Sequence, residues 1–338
     1  MTINFAIIGC GYIAHRHARH IIDHPEADLV GGFDILPERT KEFGNKYICK
    51  AYTSLDELLN DKIVDIVVIA TPNGAHANAA IETLKAGKHA LVEKPMALSV
   101  DDCNQMVETA EKFNAKLFVV KQNRFNPPVA ALKNLMKENK LGKVFAVTTN
   151  CYWNRNKQYY ENSEWKGTKA LDGGTLFMQF SHFIDVLFYL FGKIEVVAGM
   201  TENAVHKGLT EFEDTGCFLL KFPEHKAQGS FNFTTGCFEQ NMEGSIAIFA
   251  ENATIKIGGK YLNTIDYQAT NGFDITNLPV SAPANDYGYY QGSMSNHDKV
   301  IANVVATLKG KETIMTSGKE GAQVVKIIEQ MYETALRG

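Results

Sequence analysis

Residues 5–14, FAIIGCGYIA, run from an apolar strand through a glycine turn into a helix start. Gly9, Gly11 and Ala14 fall in G-x-G-x-x-A register, and in this strand-to-helix context the motif constrains the fold more than any other stretch of the chain. Gly9 permits the tight turn, Gly11 lets the backbone approach a pyrophosphate, and Ala14 allows the helix to pack closely on the strand. The helix N-terminus, opening at Tyr12 and Ile13, then presents N–H groups to the phosphates. Asp34 closes the second apolar strand, 23 residues after Gly11. A carboxylate there binds the adenosine ribose hydroxyls and repels a 2′-phosphate. No basic residue directly follows it, although Arg39 is near, so the pattern predicts NAD over NADP.

The rest of the first third keeps the same rhythm. Val64–Ala70 is nearly all apolar, as a strand buried on both faces should be. Ala75–Ala86 reads as a helix, His89–Val92 as a strand, Ser99–Asn114 as a helix with Ser99 as N-cap, and Lys116–Val120 as a strand. Strands alternating with helices imply right-handed βαβ units and a parallel sheet. Near Asn126-Pro127-Pro128 the rhythm breaks. After one more helix, about 128–139, the segments KVFAVTTNCYW, GCFLLKF, GSFNFTT and SIAIF…ATIKI alternate with period two, which predicts a largely antiparallel sheet. One apolar helix, Thr175–Phe191, is stopped by Gly192. Two helices, about 296–309 and 319–336, close the chain. The expected domains are 1–122 and 123–338, and 338 residues suffice for two sizeable cores.

Composition excludes several classes of function. The net charge of −4 provides no basic field for nucleic acid or an anionic membrane. No apolar stretch reaches the length of a membrane span, and MTINFAIIGCG reads as a first strand, not a signal peptide. The six scattered cysteines form no C-x-x-C pair, so free thiols in a reducing cytoplasm are expected.

Three further stretches carry chemistry. Thr71-Pro72-Asn73 ends an apolar strand at the carboxyl edge of the sheet, where ligands bind in such folds, with His76 following. Glu93-Lys94-Pro95 ends the next strand. The strand delivers Lys94 toward the nicotinamide position, and Pro95 stiffens the turn. A partly desolvated lysine beside an oxidised nicotinamide has a lowered pKa and exchanges a proton with a substrate hydroxyl near neutral pH. In LDGGTLFMQFSHFIDVLFYLFG, residues 171–192, His182 shares a helical face with Met178 and Asp185. A lone helical histidine is usually a satisfied core residue. Here it is one of very few polar groups on the helix, and Asp185 is spaced to fix its tautomer. His15, His17, His20 and His24 cluster after the glycine turn, but that helix carries no acid at the usual place and its N-terminus belongs to a pyrophosphate. No metal is expected.

With GCGYIA, TPN…H, EKP and GG…HxxD in this order, the chain resembles the glucose–fructose oxidoreductase/inositol dehydrogenase (Gfo/Idh/MocA) family over essentially its full length. The resemblance implies an α/β fold: an N-terminal Rossmann dinucleotide-binding domain and a C-terminal α/β domain with a large, mostly antiparallel open sheet. A face of that sheet commonly builds a homodimer or homotetramer. The family also implies a Lys94–Pro95 peptide that is often cis, and Lys94 and His182 as the catalytic pair. Gly9, Gly11, Tyr12, Ile13, Asp34, Thr71, Pro72, Asn73, His76, Glu93 and Lys94 are the expected NAD contacts.

A narrower likeness lies in VVKQNRFNPPVAALK, CYWNRNKQYYENSEWKGTKALDGG, EFEDTG and NMEGSIAIFAENATIKIGG. These are similar to bacterial UDP-N-acetylglucosaminuronate 3-dehydrogenases, which oxidise the sugar C3 hydroxyl with NAD. The likeness implies hydride transfer from C3, with His182 or Lys94 taking the hydroxyl proton. The residues themselves fit a sugar-nucleotide site. Tyr152, Trp153, Tyr159, Tyr160 and Trp165 are expected to stack on a sugar or uracil, and Arg155 and Lys166 to meet a diphosphate or carboxylate. Asn123 and Gln179 complete the expected substrate contacts. Family members usually place Asp or Asn four residues before the histidine, where this chain has Met178. Gln179 or a neighbour substitutes, or the substrate differs, or activity is reduced. Two alternatives stand beside the sugar-nucleotide reading: a dehydrogenase or reductase of a free sugar or cyclitol, and a non-catalytic NAD-sensing regulator on the same fold.

Overall fold

The computed structural model of the protein describes residues 2–281, 283–288 and 290–337. Up to residue 121 strands and helices alternate: β1 (Ile3–Ile8), α1 (Tyr12–Ile22), β2 (Ala27–Phe33), α2 (Pro37–Tyr47), β3 (Lys50–Ala51), α3 (Leu55–Asn60), β4 (Ile66–Ile69), α4 (His76–Lys85), β5 (His89–Val92), α5 (Val100–Lys112) and β6 (Leu117–Val119). The strands pair in parallel in the order β3-β2-β1-β4-β5-β6. All four residues of β4 are buried, as its apolar run requires of a central parallel strand. Ser99 caps α5 by accepting from the Asp102 N–H at 3.1 Å. Strand order reverses between β1 and β4, which places a ligand crevice at their carboxyl ends.

The second half holds α6 (Pro127–Lys137), β7 (Val144–Tyr152), α7 (Lys157–Glu161), α8 (Ser181–Phe191), β8 (Glu195–Glu202), β9 (Thr215–Phe222), β10 (Ala227–Thr234), β11 (Glu243–Ala250), β12 (Ala253–Gly258), β13 (Thr264–Thr270), β14 (Ala284–Asp286) and β15 (Gln291–Met294). Seven strands form one sheet, ordered β13-β12-β11-β7-β10-β9-β8, antiparallel except where β10 runs parallel to β7. Period-two patterning divides its faces. On β9, Phe218, Leu220 and Phe222 are buried while Cys217, Leu219 and Lys221 are exposed. All six cysteines are free thiols. Helices α9 (His297–Leu308) and α10 (Gly318–Arg337) follow. Among the described residues no helix is long and apolar enough to cross a membrane.

Packing divides the chain differently from a single cut near residue 122. One unit is Met1–Lys121 with His297–Val325, and the other is Gln122–Asn296 with Lys326–Gly338. The returning segment is fixed to the first unit by α9 against α1, by Lys309 and Lys311 on Glu26, and by Gly321 lying close to Met96 and Val119. These contacts join residues some 200 to 300 positions apart, beyond the reach of local pattern.

In the second unit the apolar helix is not uniform. Leu176–Phe180 forms a π turn before α8 begins. Arg124 makes a bidentate pair with Asp185, Nε to Oδ2 at 3.0 Å and NH2 to Oδ1 at 2.8 Å, with both side chains buried. The Asp185 carboxylate is therefore the partner of an arginine, a role not expected from its spacing to His182. Upstream of the π turn, Gly174 has φ +131°, and a Cβ there would meet the Tyr332 hydroxyl at 2.2 Å. That hydroxyl donates to Glu213 Oε1 at 2.8 Å and accepts the Leu176 N–H at 3.2 Å.

Burial pushes the Glu213 carboxyl up to about 7, against the hydrogen bonds it receives from Tyr332 and the backbone. The folded state thus holds a proton that the unfolded chain releases. This contribution is complete below the ordinary carboxylate value of 4.5 and is lost as pH rises through about 7. It amounts to about 3 kcal/mol. Glu213→Gln, neutral at every pH, is expected to flatten the decline in thermal midpoint between about pH 5 and 8. A decline parallel to that of the wild type would contradict this assignment.

Candidate active site

The carboxyl edge of the parallel sheet carries the predicted dinucleotide contacts. Gly9 has φ +90°, and a Cβ there would lie 2.7 Å from the Ala70 carbonyl and 2.8 Å from the Thr71 nitrogen. Any other residue would force β1 and β4 apart. Gly11 differs: its Cβ would meet nothing within 4 Å. Protein packing does not require glycine there, whereas close approach of a ligand to the backbone does. Gly11 caps α1 without a side chain, and the first turn, with Tyr12 and Ile13, holds no acid to compete with a phosphate. Ala14 is fully buried beneath.

Asp34 is held at this turn. Its Oδ2 accepts the Cys10 N–H at 2.8 Å and its Oδ1 the Leu36 N–H at 2.9 Å. Burial, then the Asp34 charge, pushes the Cys10 thiol up to about 12, so the turn carries one negative group and no thiolate. Thr71 and Pro72 lie half-buried after β4, and the buried Thr71 Oγ1 has no partner among the described residues. Asn73 is buried inside a 3₁₀ turn that leads into α4. These features fit a bound dinucleotide: an uncapped helix end, an anchored carboxylate and an orphaned hydroxyl.

His76 and Glu93 are both buried. His76 Nδ1 lies 2.7 Å from the Pro95 carbonyl and Nε2 2.9 Å from the Thr71 carbonyl, tying the loop after β4 to the loop after β5. Burial lowers its pKa, while both carbonyls oppose the shift. Glu93 Oε1 is 2.7 Å from His17 Nε2, and Oε2 accepts the Lys94 N–H at 3.0 Å. Burial raises the Glu93 pKa, but the hydrogen bond from His17 and the nearby His297 ring outweigh it and hold the carboxyl well below its usual range. Lys94 is half-buried, and the Lys94–Pro95 peptide is cis.

The second unit gathers most of the predicted substrate contacts. Arg155 is buried, with its guanidinium carbon 5.0 Å from the Trp153 ring, 5.3 Å from Tyr159 and 5.2 Å from Tyr290. Lys166 Nζ lies 3.9 Å from the centre of the Tyr159 ring. Gln179 donates from Nε2 to the Tyr159 hydroxyl at 3.0 Å. The π turn thus ties Gln179, the residue after Met178, to the aromatic segment. Among the described residues, Gln179 Oε1, Arg155 Nε and Asn123 Nδ2 are buried without protein partners, while Asn123 Oδ1 accepts from Ser293 at 2.6 Å. Tyr160 packs against His206, Trp165 is half-buried, and His182 is buried on the first turn of α8. Trp153 is a correction. It is a core residue, surrounded by Phe180, Phe183 and Tyr261 with its indole N–H on the Lys260 carbonyl, and has no face for a sugar. Tyr290 was not expected, because it follows a segment without periodicity.

A parallel sheet with a dinucleotide crevice, joined in one chain to a sheet unit lined with cations and aromatics, defines a two-domain nicotinamide-dependent oxidoreductase. The chain belongs to the Gfo/Idh/MocA family. Residues 3–121 match the family's "NAD-binding Rossmann fold" model and residues 133–338 its "C-terminal alpha/beta domain". The crystal structure of the WlbA dehydrogenase from Bordetella pertussis, in complex with NADH and UDP-GlcNAcA, is 33% identical, with TM-score 0.89 over 99% of this chain and 97% of that one. The glucose-6-phosphate 3-dehydrogenase of Bacillus subtilis is 31% identical over 97% of this chain and 95% of its own length. The 2,7-anhydro-N-acetylneuraminate hydratase of Escherichia coli is 28% identical over 94% of this chain and 81% of its own. The protein is an NAD-dependent dehydrogenase.

If the anchored carboxylate selects NAD, Asp34→Asn should raise the NAD dissociation constant by about tenfold and narrow the preference over NADP. Unchanged binding of both cofactors, measured by fluorescence titration, would refute this role.

Proposed function

We propose that this dehydrogenase oxidises the C3 hydroxyl of a nucleotide-linked uronic sugar of the UDP-GlcNAcA kind. The observation that carries the reading is the cation–aromatic cluster of the second unit. Arg155 and Lys166 supply fixed positive charge beside the Tyr159 and Tyr290 rings. Such a cluster suits an anionic ligand with flat rings. The partnerless atoms of Asn123, Arg155 and Gln179 give it polar groups for a ligand. The similar Bordetella dehydrogenase, crystallised with UDP-GlcNAcA, supports the same substrate class.

Bound NAD supplies the hydride acceptor. The chain's own task is the proton: as C3 loses hydride, its hydroxyl must lose a proton to leave a ketone. We assign this to Lys94 and His182, one accepting the proton and the other holding the developing carbonyl oxygen. Gly9, Gly11, Tyr12, Ile13, Asp34, Thr71, Pro72 and Asn73 are assigned to the cofactor. Asn123, Arg155, Tyr159, Tyr160, Trp165, Lys166 and Gln179 are assigned to the substrate, the buried ones holding the shape of the site. Met200, Leu219 and Tyr267 are more than half exposed on one face of the seven-stranded sheet, which suits a homodimer or homotetramer.

A second reading, oxidation of a smaller free or phosphorylated sugar or a cyclitol, draws on the glucose-6-phosphate 3-dehydrogenase and on an inositol 2-dehydrogenase of Salmonella typhimurium, 30% identical over 44% of this chain and 45% of its own. Turnover assays at 340 nm with UDP-GlcNAcA, glucose 6-phosphate and myo-inositol separate the two. The expected result is turnover of UDP-GlcNAcA that drops by about 10³-fold in Lys94→Ala with NAD binding retained. Turnover of the smaller compounds alone would establish the second reading. A Lys94→Ala enzyme of wild-type rate would remove the lysine from the mechanism.

A further inference from the structure

Glu93 raises a question that the proton chemistry leaves unanswered. An ionised carboxylate stands directly before Lys94, 5% exposed, where burial is costly. Three elements converge on it. His17 Nε2 from α1 lies at 2.7 Å and His297 Nε2, at the start of α9, at 3.7 Å from Oε1. Oε2 receives the Lys94 N–H at 3.0 Å. The His17 and His297 rings meet edge-on at 5.3 Å, and His20 stacks parallel on His297. Burial pushes His297 down to about 4 even against the pull of Glu93, so this imidazole is neutral near pH 7.

Two imidazoles and a carboxylate whose ligand atoms all lie within 4.8 Å also resemble a metal site. Two observations oppose that reading. The His17–Glu93 separation of 2.7 Å is a hydrogen-bond distance. In addition, Nδ1 of both His17 and His297 is buried without a partner among the described residues, whereas a metal-bound imidazole characteristically donates its other N–H to a second acceptor. The shared particle is a proton, donated by His17 to Glu93.

We propose that Glu93 is a positioning residue for Lys94: His17 holds one carboxylate oxygen, and the other grips the Lys94 backbone N–H, fixing the point from which the lysine side chain starts. His297, at the start of the returning C-terminal segment, packs its ring edge-on against His17 beside this carboxylate. The proposal rests on the assignment of Lys94 to the proton step.

The test uses the full-length enzyme carrying Glu93→Ala, Glu93→Gln, Lys94→Ala and the double variants. It measures thermal midpoint, NAD dissociation constant, and single-turnover rates at micromolar enzyme with the substrate the wild type oxidises. Glu93→Ala should lower the rate about 10²-fold while NAD binding stays within about threefold. Glu93→Gln, which keeps an oxygen for the Lys94 N–H, should recover about tenfold of that loss. In the Lys94→Ala background neither change should lower the rate further, because the effect passes through the lysine. A wild-type rate in Glu93→Ala, or losses that multiply in the double variant, would overturn the proposal. If Glu93→Ala does not fold, the same cycle with Glu93→Gln decides: a rate loss confined to the Lys94 background supports it, and no loss or a multiplying loss overturns it. Full activity in Lys94→Ala alone would instead overturn the preceding assignment.

Discussion

The contact between Gly9 and the backbone of Ala70 and Thr71 is the constraint on which the dinucleotide unit depends. It joins the carboxyl ends of the two central strands where strand order reverses, and no side chain fits between them. Once that spacing is set, the other parts of the edge fall into register. The Cys10 amide reaches Asp34, α1 opens at Gly11 with its amides uncapped, and Thr71 stands beside the turn. The adjacent β5 then ends on Glu93, whose buried carboxylate reaches back to α1 through His17. A backbone contact, an anchored carboxylate and a buried histidine pair thus organise the edge around one glycine.

The second unit solves a different problem. It must hold polar and cationic groups inside a largely aromatic environment. Arg124 and Asp185 neutralise each other within it, and removing either partner of such a buried pair typically costs about 3–5 kcal/mol. Arg155 is surrounded instead by aromatic faces and the Asn154 carbonyl. The Tyr332–Glu213 pair closes behind Gly174, just ahead of the π turn, and the turn carries Gln179 to Tyr159.

Much of this was legible in the sequence, for physical reasons that act locally. The glycine register, the aspartate after β2, the apolar run of β4, the Ser99 cap and the alternation of β9 each follow from neighbours a few residues apart. The parts that were not legible are long-range or break a period. The π turn alters helical register with no marker residue, so the bond from Gln179 to Tyr159 could not be read from helical spacing. Asp185 is spaced to meet His182, but Arg124, 61 positions earlier, holds it. Trp153 looks like a stacking platform in a run of aromatics, yet Phe180 and Phe183 bury it. His297 gives no hint in its own surroundings that it will meet Glu93.

The central claim is that this chain moves a hydride from C3 of a uronic sugar nucleotide to NAD. The most direct measurement uses UDP-GlcNAcA deuterated at C3 and reads the recovered cofactor and sugar by mass spectrometry. The account predicts one deuterium in the reduced cofactor and none in the oxidised sugar. Deuterium retained in a sugar that has been oxidised elsewhere, or an unreacted sugar beside a cofactor reduced by glucose 6-phosphate or inositol, would contradict it.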